Sequence, residues 1–222
     1  MEVIFIKKFL EIIKNFLLIG SYLVYSLIAI IPMLLFNLKT DNLTPKQTNL
    51  LMVFAGITYM IIIIFIYRKS LKKELKEFIN KPMPFIERNL KYYLIGLTIM
   101  MFSNIFISIM INTVAQNEQI VQEELKKAPL YMIYSACIFA PFVEEILFRK
   151  TLREIFPTNI VFIIMSGLLF GYIHTLANFT NPTELLYIIP YGTVGGMFAL
   201  MYTKEKNIFV PIAFHTFHNS PL

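Results

Sequence analysis

The sequence predicts an all-α fold: a polytopic transmembrane helical bundle of about seven membrane helices with a cytoplasmic amino terminus. Three observations lead there. Of 222 residues, 57% are hydrophobic and only 15% charged, whereas a soluble domain carries about a quarter charged residues. The apolar residues gather in six runs of about 20, the length that crosses about 30 Å of hydrocarbon as a helix. The basic residues bunch between those runs on one side, which sets orientation.

In chain order, residues 3–14 set Val3, Ile6, Leu10 and Ile13 against Lys7, Lys8, Glu11 and Lys14, the pattern of a helix lying on the inner surface or extending the first span. The apolar runs follow at roughly 15–36, 49–67, 92–112, 129–148, 159–177 and 184–202, with a short seventh at about 207–219 expected to stop inside the bilayer, held by its neighbours. Between the second and third lies Arg68 to Lys91, a basic loop with a Lys81-Pro82-Met83-Pro84 break. A cytoplasmic amino terminus puts 16 of the 20 basic residues inside and leaves Lys39, Lys46, Lys126 and Lys127 outside. Residues 113–128 are polar with helical spacing and read as an external amphipathic helix. The start of the chain has no small-x-small cleavage site and reads as retained sequence. One integral membrane domain covers residues 1–222, with its functional residues after about 130 and variable membrane helices and amphipathic segments over 1–128.

Composition also excludes functions. The net charge of +6 is topological, because no basic stripe alternates with base-stacking aromatics, and no nucleic-acid partner is expected. Cys137, the single cysteine, allows no internal disulfide and no cysteine-rich metal site.

Charge inside the fourth run is informative because it is costly. Each ionisable side chain at the centre of a membrane helix costs about 2.5–3.5 kcal/mol on insertion scales. Glu144, Glu145 and Arg149 stand there together. Glu145 and Arg149, four apart, share a helix face and neutralise each other, whereas Glu144 points about 100° away and needs another partner. Further polar positions occur in later runs: Phe170 and His174 as F-x-x-x-H, and His215 and Asn219 as H-x-x-x-N on one face of the last helix. His218 reads as a bystander on the flank of His215.

The ordered pattern E-E-x-x-x-R, F-x-x-x-H, H-x-x-x-N resembles the CAAX-protease and bacteriocin-processing family of intramembrane proteases, also called the CPBP or Abi family, which includes the type II CAAX prenyl endopeptidases. Gly192, Gly195, Gly196 and the Lys206-Asn207-Ile208 and Val210-Pro211-Ile212 stretches fit as well. The resemblance covers about 134–219, within a catalytic core of about 130–219, and carries nothing onto the amino-terminal half. It implies hydrolysis of a peptide bond within the membrane of the cell, in a membrane-associated or lipidated peptide or protein, by Glu144, His174, His215 and Asn219, supported by Glu145, Arg149 and Phe170. Glu144 with His174 would activate water, and His215 with Asn219 would stabilise the oxyanion. The span-six glycines would allow close helix approach, and a substrate peptide would use the same gap.

Glu144, His174 and His215 also form a donor set known for catalytic zinc. The lack of an H-E-x-x-H helix and the place of Asn219 favour hydrolysis without a metal or other cofactor, with zinc as the alternative. A non-catalytic membrane partner using the same polar cavity, in bacteriocin immunity or in regulating a sensor or transporter, is the rival reading. A small proton-coupled transporter is the third. One geometric requirement follows. Glu144 lies about 15 Å, and His174 about 24 Å, from the turn near 155–158, so helix tilt or projection past Arg149 must bring them level.

Overall fold

The structure, a computed structural model, describes residues 2–176 and 181–220, with side chains described from residue 6 onward. Among the described residues the chain is helical, without strands. The helices are α1 (Glu2–Ser21), α2 (Ile30–Leu35), α3 (Pro45–Asn80), α4 (Pro82–Ile111) and α5 (Gln116–Lys127). They continue as α6 (Pro129–Ile155), α7 (Asn159–Leu176), α8 (Pro182–Glu205) and α9 (Phe209–Asn219). The expected end of the fifth run at residue 177 lies outside the described residues. Five helices are long and apolar enough to cross a membrane, or six if α1 and Tyr25–Leu35, bent by 64°, form one broken span. The protein is a multi-pass integral membrane protein.

The first expected run, 15–36, is not one helix. It breaks at residues 22–24, where Tyr22, Leu23 and Val24 make tight turns back to Ile19, Gly20 and Ser21. Residues 3–14 extend this first helix, and Ile6 and Leu10 remain exposed for lipid. The basic stretch 68–91 is no loop either. α3 runs on to Asn80 and α4 begins at Pro82, so Lys81 alone joins them. Proline is tolerated in the first turn, where its missing N–H would have no helical partner. At 36 residues α3 is about 54 Å long, so its charged end projects beyond the hydrocarbon. Its other end is capped by Thr44 and Gln47, each bonding the other's backbone or side chain.

Two wide π-turn segments, Tyr134–Phe139 and Ile146–Thr151, interrupt α6. In the first, the Ala140 N–H reaches back five residues to the Ser135 carbonyl. Next in that register is Pro141, which has no N–H for Ala136. Carbonyls are thereby released toward α9: Asn219 Nδ2 donates to Ala136 O at 2.9 Å, and Thr216 Oγ1 to Cys137 O at 3.1 Å.

α7 and α8 form the closest pair. A Cβ added at Gly167 would stand 2.7 Å from the Gly192 carbonyl, and one at Gly171 would stand 2.6 Å from the Ile188 carbonyl. The gap expected to admit a substrate is therefore filled by the neighbouring backbone, and Gly167 and Gly171 serve the seam along with the span-six glycines. α8 also packs on α4. α9 packs against α3, α4, α6 and α8. Its start is held by Glu74 of α3, whose carboxylate takes the Lys150 ammonium and the Ile208 N–H, the latter at 2.8 Å. The Glu74 backbone carbonyl accepts from Asn207 Nδ2 at 2.8 Å.

Candidate active site

Glu145 and Arg149 pair as their spacing dictates. Arg149 Nε lies 2.9 Å from Glu145 Oε2, and Nη2 donates to Oε1 at 3.2 Å. Nη1 donates to Ser166 Oγ on α7 at 2.9 Å, and Ser166 donates in turn to the Phe148 carbonyl at 2.8 Å. Both charges are fully buried, so losing either partner would strand the other at a cost of about 3–5 kcal/mol. Phe170 covers the guanidinium, its ring centre 5.0 Å away.

Glu145 has a second partner that helical spacing did not reveal. His215 Nδ1 lies 2.8 Å from Glu145 Oε1, so the carboxylate holds the proton on Nδ1 and leaves Nε2 as the free ring nitrogen. Phe198 stacks on the imidazole at 5.0 Å and Phe170 meets it edge-on at 5.7 Å. Glu145 thus orients His215 as well as neutralising Arg149.

Glu144, the acid left over by the spacing argument, is held from the amino-terminal half. Tyr22, at the break after α1, donates its hydroxyl to Glu144 Oε1 at 2.7 Å. Glu144 Oε2 is buried without a hydrogen-bond partner and lies 3.9 Å from His174 Nε2. That is too far for a direct hydrogen bond and close enough for one water to touch both. His174 Nδ1 donates to the Phe170 carbonyl at 2.8 Å, which leaves Nε2 as an acceptor facing Glu144. The ring is stacked between Phe170 at 4.2 Å and Tyr191 at 5.3 Å.

The height difference expected between Glu144 and His174 closes through side-chain direction. Helical side chains lean toward their own amino terminus. On antiparallel α6 and α7 this moves Glu144 away from the connecting turn and His174 toward it. The bond from His174 to a carbonyl four residues back fixes that lean.

A cavity of about 450 Å³ adjoins this group, with His174, His215, His218, Asn219, Asn104 and Tyr191 among its walls. His218, read as a bystander, therefore faces it too, its Nδ1 3.4 Å from the Tyr93 hydroxyl. Asn219 borders the cavity while one of its amide hydrogens serves Ala136. Glu144 stands behind His174 and does not form the wall. The structure thus brings His174, His215 and Asn219 to one chamber with Glu144 adjoining, and Glu145, next to Glu144 in the chain, binds His215.

Among the described residues, no three His, Cys, Asp or Glu side chains are grouped to hold a metal ion. The zinc set Glu144, His174 and His215 therefore does not fit as the ligands of one ion, even though the Glu145 bond to His215 Nδ1 leaves Nε2 free.

Two contributors escaped sequence reasoning. Tyr22 had a signal in the Gly20-Ser21-Tyr22 interruption of an apolar run. Asn104, whose Oδ1 is buried without a partner, is a polar residue in the apolar part of α4.

Comparison with known proteins places these residues in context. Residues 126–221 match the family described as Type II CAAX prenyl endopeptidase Rce1-like. The chain is 26% identical over 219 residues to the Bacillus subtilis (strain 168) protein named "Putative membrane peptidase YdiL", covering 91% of this chain and 85% of that one. No solved structure matches the chain significantly.

Proposed function

With residues 126–221 Rce1-like in sequence, we propose that this membrane protein is an intramembrane endopeptidase that hydrolyses a peptide bond in a membrane-associated or lipidated peptide. The observation that carries the reading is the unpartnered Glu144 Oε2, 3.9 Å from the acceptor nitrogen of His174 at the edge of the cavity. A water held there donates one hydrogen to each. Glu144 takes the proton as the water oxygen attacks the substrate carbonyl carbon, and His174 fixes the oxygen's direction. Negative charge then develops on the carbonyl oxygen. The amide hydrogen of Asn219 not given to Ala136, and His215 Nε2 in the form that carries a hydrogen there, are the donors for it. When the tetrahedral carbon collapses and the C–N bond breaks, Glu144 returns its proton to the leaving amine.

A specific observation favours the second reading, a non-catalytic binding partner: Glu144 does not itself form the cavity wall. Glu144→Gln separates the two. A quenched-fluorescent peptide ending in a farnesylated Cys-aliphatic-aliphatic-X segment is offered to the protein in proteoliposomes. The hydrolase reading expects wild-type cleavage and a loss of about 10²- to 10⁴-fold in the variant, the usual contribution of a general base. Cleavage at full strength by a correctly inserted Glu144→Gln protein overturns it.

A further inference from the structure

We infer that the ends of α4 and α8 form a seat for the phosphate of an anionic phospholipid, with a track for its acyl chains along α4. The two helices run antiparallel and pack together. On α4 no charge follows Lys91 through residue 111, and on α8 none stands between residues 185 and 203, before Lys204. Each lysine is therefore the first ammonium beyond an uncharged membrane stretch, at the depth where headgroups lie.

Both converge on one aromatic ring. Lys91 Nζ lies 5.1 Å and Lys204 Nζ 5.0 Å from the centre of Tyr92. Neither has a carboxylate within ion-pair distance among the described residues, although acids are near. Glu205 is already held by Arg88, through bonds of 3.1 and 2.8 Å, and by Asn89 at 2.9 Å. Glu87 also borders the cleft, which measures about 500 Å³, but pairs with neither lysine. Three cations thus face two carboxylates, one of which is fully occupied. The exposed ammoniums and the Tyr92 hydroxyl are the donors that a phosphodiester oxygen takes.

The apolar half of the site continues from Lys91. Ile95, Ile99, Phe102 and Phe106 follow it on the same face of α4, at 58%, 50%, 71% and 64% exposure. A phosphate between the lysines would lay its acyl chains on that stripe. The same lysines would repel the cation of a choline headgroup, so the seat selects lipids of net negative charge.

The test needs no peptidase substrate. Purified full-length protein is titrated with dioleoylphosphatidylglycerol or dioleoylphosphatidylcholine and bound lipid is counted by native mass spectrometry. Wild type should prefer the phosphatidylglycerol. Lys91→Gln with Lys204→Gln should weaken that binding about 30-fold, while Lys72→Gln with Lys76→Gln, the same charge change on exposed α3 positions, should leave it within about twofold. If the double variant does not extract folded, Lys91→Gln alone should still lose about fivefold. Equal losses in the α3 control, no wild-type preference, or displacement of the lipid by excess inorganic phosphate would overturn the inference, the last by making this a free-anion site.

Discussion

Removing one oxygen atom, by Tyr22→Phe, tests whether the amino-terminal half contributes to the chemistry. The hydroxyl donates at 2.7 Å to Glu144 Oε1, a charge-assisted bond when Glu144 is ionised, and such bonds contribute about 1.5–3 kcal/mol. If all of it bears on the reaction, cleavage slows roughly 10- to 150-fold. The ring should stay in place, since Tyr25 stacks on it at 5.8 Å and Phe148 meets its edge at 6.2 Å. Initial rates on the farnesylated peptide in proteoliposomes give kcat and KM separately. Because Tyr22 does not line the cavity, kcat should carry the loss and KM should move by less than about twofold. Tyr25→Phe, in the same aromatic stack but without a hydroxyl bond to Glu144, serves as the control and should cleave normally. An unchanged kcat in Tyr22→Phe, or a change confined to KM, would refute the reasoning.

The other expectations address separate parts of the site. Asn219→Ala should lower kcat by about 10²- to 10³-fold if its amide meets the oxyanion, whereas Thr216→Val, which breaks only the clamp to Cys137, should cost about 1 kcal/mol in thermal stability and little rate; equal effects would reduce Asn219 to a clamp. Gly171→Ala should lower the melting temperature in detergent, by about 1–3 kcal/mol of overpacking, because its new methyl would meet the Ile188 carbonyl at 2.6 Å; an unshifted melting curve would contradict that packing. Incubation with a strong chelator should leave cleavage unaltered, and activity lost to it and restored by zinc would overturn the metal-free mechanism.

What could be read in the sequence was local. Hydrophobic run length located the helices, and a spacing of four located the Glu145–Arg149 pair, because both depend on helical geometry alone. The partners that complete the site are separated by 122 residues for Tyr22 and Glu144 and by 70 for His215 and Glu145. Periodicity assigns a residue to a face but does not name the helix that packs there. The break at residues 22–24 was marked only by Gly20 and Ser21 within an otherwise apolar run, and the join at Lys81 was hidden because charge suggested a loop where two helices simply extend beyond the hydrocarbon. Pro141 could have signalled the wide turn of α6, yet only the fold shows that Asn219 and Thr216 take up the carbonyls beside it.

The anchoring of α9 has a consequence for depth. The helix has 11 residues and spans about 16 Å, half the hydrocarbon thickness, so it hangs from Glu74 like a peg from a rail. His215 stands seven residues past the fastened Ile208 N–H, about 10 Å down. Under the proposed hydrolysis, that interval acts as a ruler for how far a scissile bond must be drawn from the headgroups. One residue inserted between peg and rail would lower the imidazole by about 1.5 Å and swing it by about 100° off Glu145.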